Sequence, residues 1–269
     1  MENLMIFNIM YNRSKLPTGH PYKFFSPANT YSASTVVTTI VAPSVVSGWI
    51  VNLDPTNFTS GASTWASTTS GNTWTMYNAP TTTSTPGSST AVVFNGTTQY
   101  AMDQVGIAAG PANSSTFTID IWFYAAAGLS GNLISEMGQS GAPASGWNVT
   151  MMYLSGNIVY AAFWINGVYS LSLGSYSANT WTHACYTYSG GSVIGYRNGV
   201  QVSTGSTSKQ YPGSGFYCLA GGGNPYFTTG AVLACRIGGY KCYGSALTAT
   251  QVKQNYNALC ARFGLSAIP

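Results

Sequence analysis

The stretch WTHACYTYSGGSVIGYRNGVQVST, residues 181–204, decides the fold class. Trp181, His183 and Cys185 alternate with Thr182, Ala184 and Tyr186, the period of two that a pleated strand imposes. Ser189-Gly190-Gly191 turns the chain, and Val193 to Arg197 carries it back. Asn198-Gly199 follows at once. Both residues tolerate positive φ, which makes this dipeptide the strongest short-range hairpin signal. Val200 to Thr204 then runs out again. Three consecutive strands joined by tight turns predict an antiparallel meander.

Working outward, the same grammar continues. Phe117, Ile119, Ile121 and Phe123 alternate with Thr118, Asp120, Trp122 and Tyr124. Gly131 to Met137, Trp147 to Leu154 and Asn157 to Ile165 follow, with Ser155-Gly156 and Asn166-Gly167 as turn signals. Many short strands with turn-rich joints predict an all-β, two-sheet sandwich. Thr56 to Thr90 is rich in Thr, Ser, Gly and Asn around Trp65, Trp74 and Tyr77, and reads as ordered loops of the same domain. One helix is expected, at the end. Thr248 is its N-cap, Gln251 completes a capping box, and Leu247 and Val252 form a hydrophobic staple. Val252, Tyr256, Leu259, Cys260 and Phe263 share one stripe, and Gly264 suits a left-handed C-terminal residue.

These pieces together resemble the laminin-G-like jelly rolls of the concanavalin A-like lectin/glucanase superfamily. The resemblance rests on W-x-H-x-x-x-T-Y-x-G from Trp181, Y-x-N-G-V from Tyr196, and the opening strand Gly48 to Asp54. It also rests on Val93 to Tyr100, on Phe117 to Trp122, and on the ending Ala246 to Ala258. That ending is similar to the one common in versions carried by phage and large-virus structural proteins. The expected layout is a jelly-roll domain over residues 45–269, preceded by an extended N-terminal arm, residues 1–44, that matches nothing in the family. Val36 to Val41 in the arm reads as a strand able to pair elsewhere, the alternative for the arm being an unstructured leader.

Composition narrows the function. Charged residues are only 5% of the 269, against ~25% in an ordinary soluble domain. The net charge of +4 is thinly spread: Arg13, Lys15 and Lys23 lie in the arm, and the others stand singly from Arg197 onward. A nucleic-acid backbone needs clustered cations, so no nucleic-acid partner is expected. No apolar run approaches the ~20 residues of a membrane span. The start, MENLMIFNIMYNRSK, lacks the basic region and cleavage site of a secretory signal. Cys185, Cys218, Cys235, Cys242 and Cys260 fit no zinc spacing and read as buried thiols, one disulfide being the alternative, with at least one thiol left over from the odd count.

Chemistry is scarce. The five carboxylates are Glu2, Asp54, Asp103, Asp120 and Glu136. The paired carboxyls of a glycosidase, set as E-x-D-x-x-E on one strand in the superfamily's glucanases, are absent. His183 alternates with core residues and matches the family's structural His. No enzyme is expected. Laminin-G-like domains often bind calcium, but the F-D-G-x-x-D-Y segment here has Asn95 and Gln99 in place of both acids. Asp54 before Pro55 reads as a turn cap rather than a ligand. No cofactor or metal is therefore expected, calcium being the one ion the resemblance raises.

Binding remains. Trp74, Tyr77, Trp147 and Tyr169 fall near turns and are the candidate ligand aromatics, although each also fits a core or edge position. The resemblance implies a virion structural protein whose lectin-like domain meets carbohydrate or a host surface. In that reading the arm docks on other virion subunits, and the chain is an oligomer or part of an assembly. A secreted or cell-surface carbohydrate-binding adhesin and a purely architectural subunit without ligand are the alternatives. Five sequons, at Asn12, Asn57, Asn95, Asn113 and Asn148, would accept glycans on a eukaryotic secretory route.

Overall fold

Residues 44–69, 72–103, 110–111, 114–138, 150–164, 168–209, 215–220 and 232–269 are described by the structure, a computed structural model. All of them belong to the compact unit Val41–Pro269. The N-terminal arm up to residue 43, with its Val36–Val41 run, lies outside the described residues, as do Asn12, Asn113, Trp147 and Asn148.

The first strands are β1 (Trp49–Leu53), β2 (Thr64–Ala66), β3 (Thr73–Tyr77), β4 (Thr81–Ser84), β5 (Thr90–Asn95) and β6 (Tyr100–Asp103). Next come β7 (Thr116–Ala125), β8 (Gly131–Gly138), β9 (Thr150–Ser155), β10 (Ile158–Trp164) and β11 (Val168–Ser175). The meander is β12 (Thr180–Ser189), β13 (Ser192–Arg197) and β14 (Val200–Ser206), followed by β15 (Gly215–Leu219) and β16 (Ala234–Tyr243). They form two antiparallel sheets. The first runs β14-β13-β12-β7-β16-β5-β4, with β1 also pairing with β16, and the second runs β11-β10-β9-β8-β15-β6-β3-β2. This is the jelly-roll sandwich that the alternation predicts.

The meander forms as read. Asn198 and Gly199 take φ of 48° and 75°, the positive values the tight β13–β14 turn demands. In β7 the alternating faces separate cleanly. Phe117, Ile119, Ile121 and Phe123 enter the main core between the sheets, whereas Trp122 faces outward. The inward row of β12, Ala184, Tyr186 and Tyr188, pairs with Ile121, Ile119 and Phe117 in register.

One expectation changes. Thr56 to Thr90 is not loop alone but also supplies β2, β3 and β4. Runs such as Thr81-Thr-Thr-Ser84 carry β-branched side chains that suit a pleated surface, and Trp65 and Trp74 anchor β2 and β3 in the core. High turn-residue content hid that propensity. All five cysteines are free and buried.

The helix α1 (Ala249–Leu259) starts at Thr248, whose side chain accepts from Gln251 N while the Gln251 side chain caps the Thr248 backbone. A 3-10 turn, Cys260–Phe263, extends it, and Gly264 ends it at φ 71°. The helix lies on the outer face of the first sheet. Trp122 is stacked on Tyr256 (5.5 Å) and on Phe263 (4.3 Å), and Leu247 and Val252 pack with Cys185, Tyr196 and Tyr243. Thr118 Oγ1 donates to Ser245 O and accepts from Leu247 N, fixing the approach to the helix.

Candidate functional site

The helix α1 covers only part of the first sheet's outer face, and the outer face of the second sheet carries half-buried aromatics. Gly156 opens the two-residue β9–β10 turn at φ 61°, which sets Tyr153 directly opposite Tyr160. Their rings stack, with centroids 5.1 Å apart and planes 15° from parallel, and both are half-buried. Tyr153 Oη and Ser170 Oγ are 3.0 Å apart, and Ser172 is the register partner of Tyr160. Both serines are exposed. This is a stacked, half-buried aromatic pair fringed with hydroxyls.

A second pair continues it. Tyr77 and Tyr100 are register partners on β3 and β6, stacked at 4.3 Å and 13°. The ladders put Leu219 opposite both Ile134 and Ala101, and Ile134 opposite Met152. One step along each strand, Tyr153 and Tyr100 therefore lie at the same level. The two pairs form a row from β10 to β3, five strand steps or about 24 Å, interrupted at β8 and β15, where Ser135 and Cys218 are buried. Met102 and Cys218 form a small buried cluster against Tyr77 and Tyr100. Burial, and then the neighbouring Tyr77 and Cys218, push the Tyr100 phenol above its ordinary pKa. It stays a neutral donor.

Of the four aromatics singled out in the sequence, Tyr77 joins this row. Trp74 is fully buried between the sheets with its ring 5.8 Å from Tyr240, so it offers no face to a ligand. Alternation along β3 sends Trp74 and Tyr77 to opposite sides. Tyr169 packs against the main core near Phe163, at 6.5 Å. Trp147 lies outside the described residues. Tyr100, Tyr153 and Tyr160 were missed. The Tyr153–Tyr160 pair was within reach, because the two residues are symmetric about the Gly156-Asn157 turn.

The carboxylates lie elsewhere. Asp120 and His183 are buried under α1, with His183 Nε2 3.2 Å from Asp120 Oδ2. The contact is closed to water, with both side chains buried. Asn255 Nδ2 donates to Asp120 Oδ2 and Tyr243 Oη, and Asn255 Oδ1 accepts from Val46 N. Burial works to raise the Asp120 carboxyl, but His183, Lys241 and Asn255 together hold it below the ordinary value. Burial likewise pulls Lys241, the register partner of Asp120, below the usual lysine range. This is an internal charge cluster that seats the helix.

Asp103 and Glu136 are the register partners of Tyr217 on either side of β15, all three buried, and Tyr217 Oη donates to Glu136 Oε1 at 2.8 Å. Burial draws the nearby Lys209 ammonium down to about 8, against the opposing pull of Glu136. Asp54 caps the 3-10 turn Pro55–Asn57, as its place before proline suggests, and binds the Arg262 guanidinium through both oxygens at 3.0 and 2.9 Å.

The segment that carries calcium-binding acids in the resembled family is committed differently here. Asn95 Oδ1 accepts the amides of Thr97, Thr98 and Gln99, which closes the β5–β6 turn on itself. Among the described residues no group of three or more His, Cys, Asp or Glu could hold a metal ion. Nor is any described helix long and apolar enough to cross a membrane.

The family model for the concanavalin A-like lectin/glucanases superfamily, of laminin G type, matches residues 95–253. The chain belongs to this superfamily. No curated protein sequence matches it significantly. Among solved structures, this lectin-like domain is similar to domain 4 of an extracellular arabinanase from Geobacillus stearothermophilus, solved with arabinotriose. The TM-score is 0.58 at 15% identity, covering 78% of this chain and 98% of that one. It is also similar to the botulinum neurotoxin DC binding domain, solved in complex with SialylT (TM-score 0.59, 13% identity) and with rat synaptotagmin II (TM-score 0.58, 11% identity). Each neurotoxin comparison covers 79% of this chain and 52% of the other, so the chain spans about half the length of those domains. At these identities the likeness is one of fold.

Chemically, the tyrosine row offers what a sugar needs. Aromatic faces meet C–H surfaces, and phenol, serine and amide groups exchange hydrogen bonds with hydroxyls.

Proposed function

We propose that this lectin-like domain is a non-catalytic carbohydrate-binding module that uses the tyrosine row of its second sheet, carried by a structural protein of a virus particle. The observation that carries the binding reading is the Tyr153–Tyr160 pair, stacked and half-exposed beside the exposed Ser170 and Ser172. A ring pair already fixed by cross-strand register loses little freedom when a ligand settles on it. The arabinotriose of the arabinanase domain supports a glycan as the ligand class.

The non-catalytic reading is supported by the placement of the described carboxylates. Asp54 is bound to Arg262, Asp120 is buried under the helix, and Asp103 and Glu136 are buried beside Tyr217, so none lines the row. The virion reading is supported by sequence alone. The ending Ala246 to Ala258 resembles that of phage and large-virus structural proteins, and an unmatched arm bearing Arg13, Lys15 and Lys23 suits docking on an acidic neighbouring subunit.

A glycan array with the full chain tests the binding. Native protein should retain a subset of neutral oligosaccharides, and Tyr160→Ala should weaken that retention about tenfold with an unchanged melting profile. The retained glycans should come back from prolonged incubation uncleaved. Retention untouched by Tyr160→Ala would move the site off this face. An array with no retention at all would leave the architectural-subunit reading standing in its place.

A further inference from the structure

A separate hollow of about 210 Å³ lies on the first sheet. Outward-facing Val93, Arg236, Tyr124 and Trp181 are successive register partners on β5, β16, β7 and β12. The hollow is lined there by Val93, Tyr124, Arg236, Ala126 and Asn179. The Arg236 guanidinium stands over the Tyr124 ring, 4.5 Å from its centroid, and Tyr124 leans on Trp181 at 5.7 Å. Asn179 is held at φ 55° with its amide donating to Ala125 O, so a fixed turn carries its side chain.

The three described arginines differ in a telling way. Arg262 is committed to both oxygens of Asp54 and to Ser89, and Arg197 to the Ser175 carbonyl. Arg236 has its place over Tyr124 but, among the described residues, neither a carboxylate nor a carbonyl acceptor. Stacking orients the planar fork and shields one side of it from water, while the N–H edge keeps its donors. The described lining holds no carboxylate to compete for them. A concave site with one oriented guanidinium, an amide and apolar walls selects a compact anion on a partly apolar body. The volume falls below the ~300 Å³ at which drug-sized pockets begin, so it admits one ring of a longer ligand.

We infer that this hollow is a second ligand site, in which Arg236 grips the carboxylate of a single acidic sugar at the end of a glycan. That the ligand is a sugar rests on the proposed carbohydrate-binding reading. That it is a carboxylate rests on Arg236 and its surroundings alone.

Calorimetric titration of the full chain separates the two. The probes are glucuronyl- and sialyl-terminated oligosaccharides, their methyl esters, and an acidic peptide. The free acids should bind about tenfold to a hundredfold more tightly than the esters, with the advantage shrinking as salt is raised. Arg236→Gln should erase that advantage and leave ester binding unchanged. Arg236→Lys, which keeps the charge but loses the fork, should retain only part of it. Tyr160→Ala should weaken the binding that acid and ester share at the tyrosine row, and leave the acid-selective binding at the hollow in place. Equal affinity of acids and esters for the native protein overturns this inference while leaving the tyrosine row intact, whatever the variants do. Binding of the peptide in preference to the acidic sugars overturns the sugar assignment. Loss of all glycan binding in Tyr160→Ala, with no acid preference in the native protein, confines recognition to the second sheet and overturns the inference as well.

Discussion

Asp54 is held at a carboxyl pKa of about 2 although burial alone would raise it, because the Arg262 guanidinium and the Thr56 amide both favour the ionised form. A folded pKa below the unfolded ~3.9 contributes stability that is complete above pH 4 and is lost as pH falls from there toward 2. Asp120, also depressed, adds to the same acid limb. Asp54→Asn should therefore cost about 1 kcal/mol at neutral pH and flatten the loss of stability between pH 4 and 2, read by urea unfolding at each pH. Asp120→Asn should be harsher, about 3 kcal/mol, because it leaves Lys241 buried without its countercharge. An unfolding midpoint equal to the native one would remove the cluster from the account of how the helix is seated. The turn-capping role of Asp54 was legible, since Asp before Pro55 has a local mechanism. Its ion pair was not: Arg262 lies 208 residues away, and nothing in sequence pairs them.

Elements that specify themselves locally were the ones most readily foreseen. Helix α1 has its cap, box, staple and terminal glycine within one window, and all four form as spaced. The Tyr153–Tyr160 pair belongs to a hairpin and needs only the right turn centre. Tyr77–Tyr100 is different in kind. It depends on β3 pairing with β6 across the second sheet, with β4 and β5 of the other sheet lying between them in the chain. Trp74 shows the same gap, since nearness to a turn said nothing about which side of β3 was core. The helix owes more to packing than to its own propensity. Thr248→Ala should remove about 1 kcal/mol through lost capping. Phe263→Ala, which strips the ring stacked on Trp122 and touching Trp181, should remove about 3–5 kcal/mol. Scanning calorimetry that ranked the two the other way would contradict helix packing as the main term.

At the scale of the molecule, half of the ten charged side chains among the described residues are turned inward. Asp103, Asp120, Glu136, Lys209 and Lys241 are all buried, which leaves an exterior of hydroxyls, amides and phenols with little long-range repulsion. Such a surface suits a subunit packed among neighbours, and it makes the N-terminal arm the natural place to look for attachment. Where the arm can be cut is set by the sandwich. Ser44 O accepts from Gln254 Nε2 and Val46 N donates to Asn255, so residues from Ser44 on are bonded to the helix. Trp49 to Leu53 then pairs with β16, and the main core draws its residues from Ile50 onward. A chain beginning at Ser44 should keep its melting temperature within a few degrees and its glycan retention in full, and on the proposed virion reading it should fail to join a particle. A chain beginning at Asp54 would lose a whole sheet-edge strand with two fully buried side chains, Val51 and Leu53, and should melt far lower or not fold. Thermal unfolding of both truncations, followed by co-purification of the first with assembled particles, decides the matter. Normal incorporation of the Ser44 form would end the anchoring role proposed for the arm, and with it the virion reading in its present form.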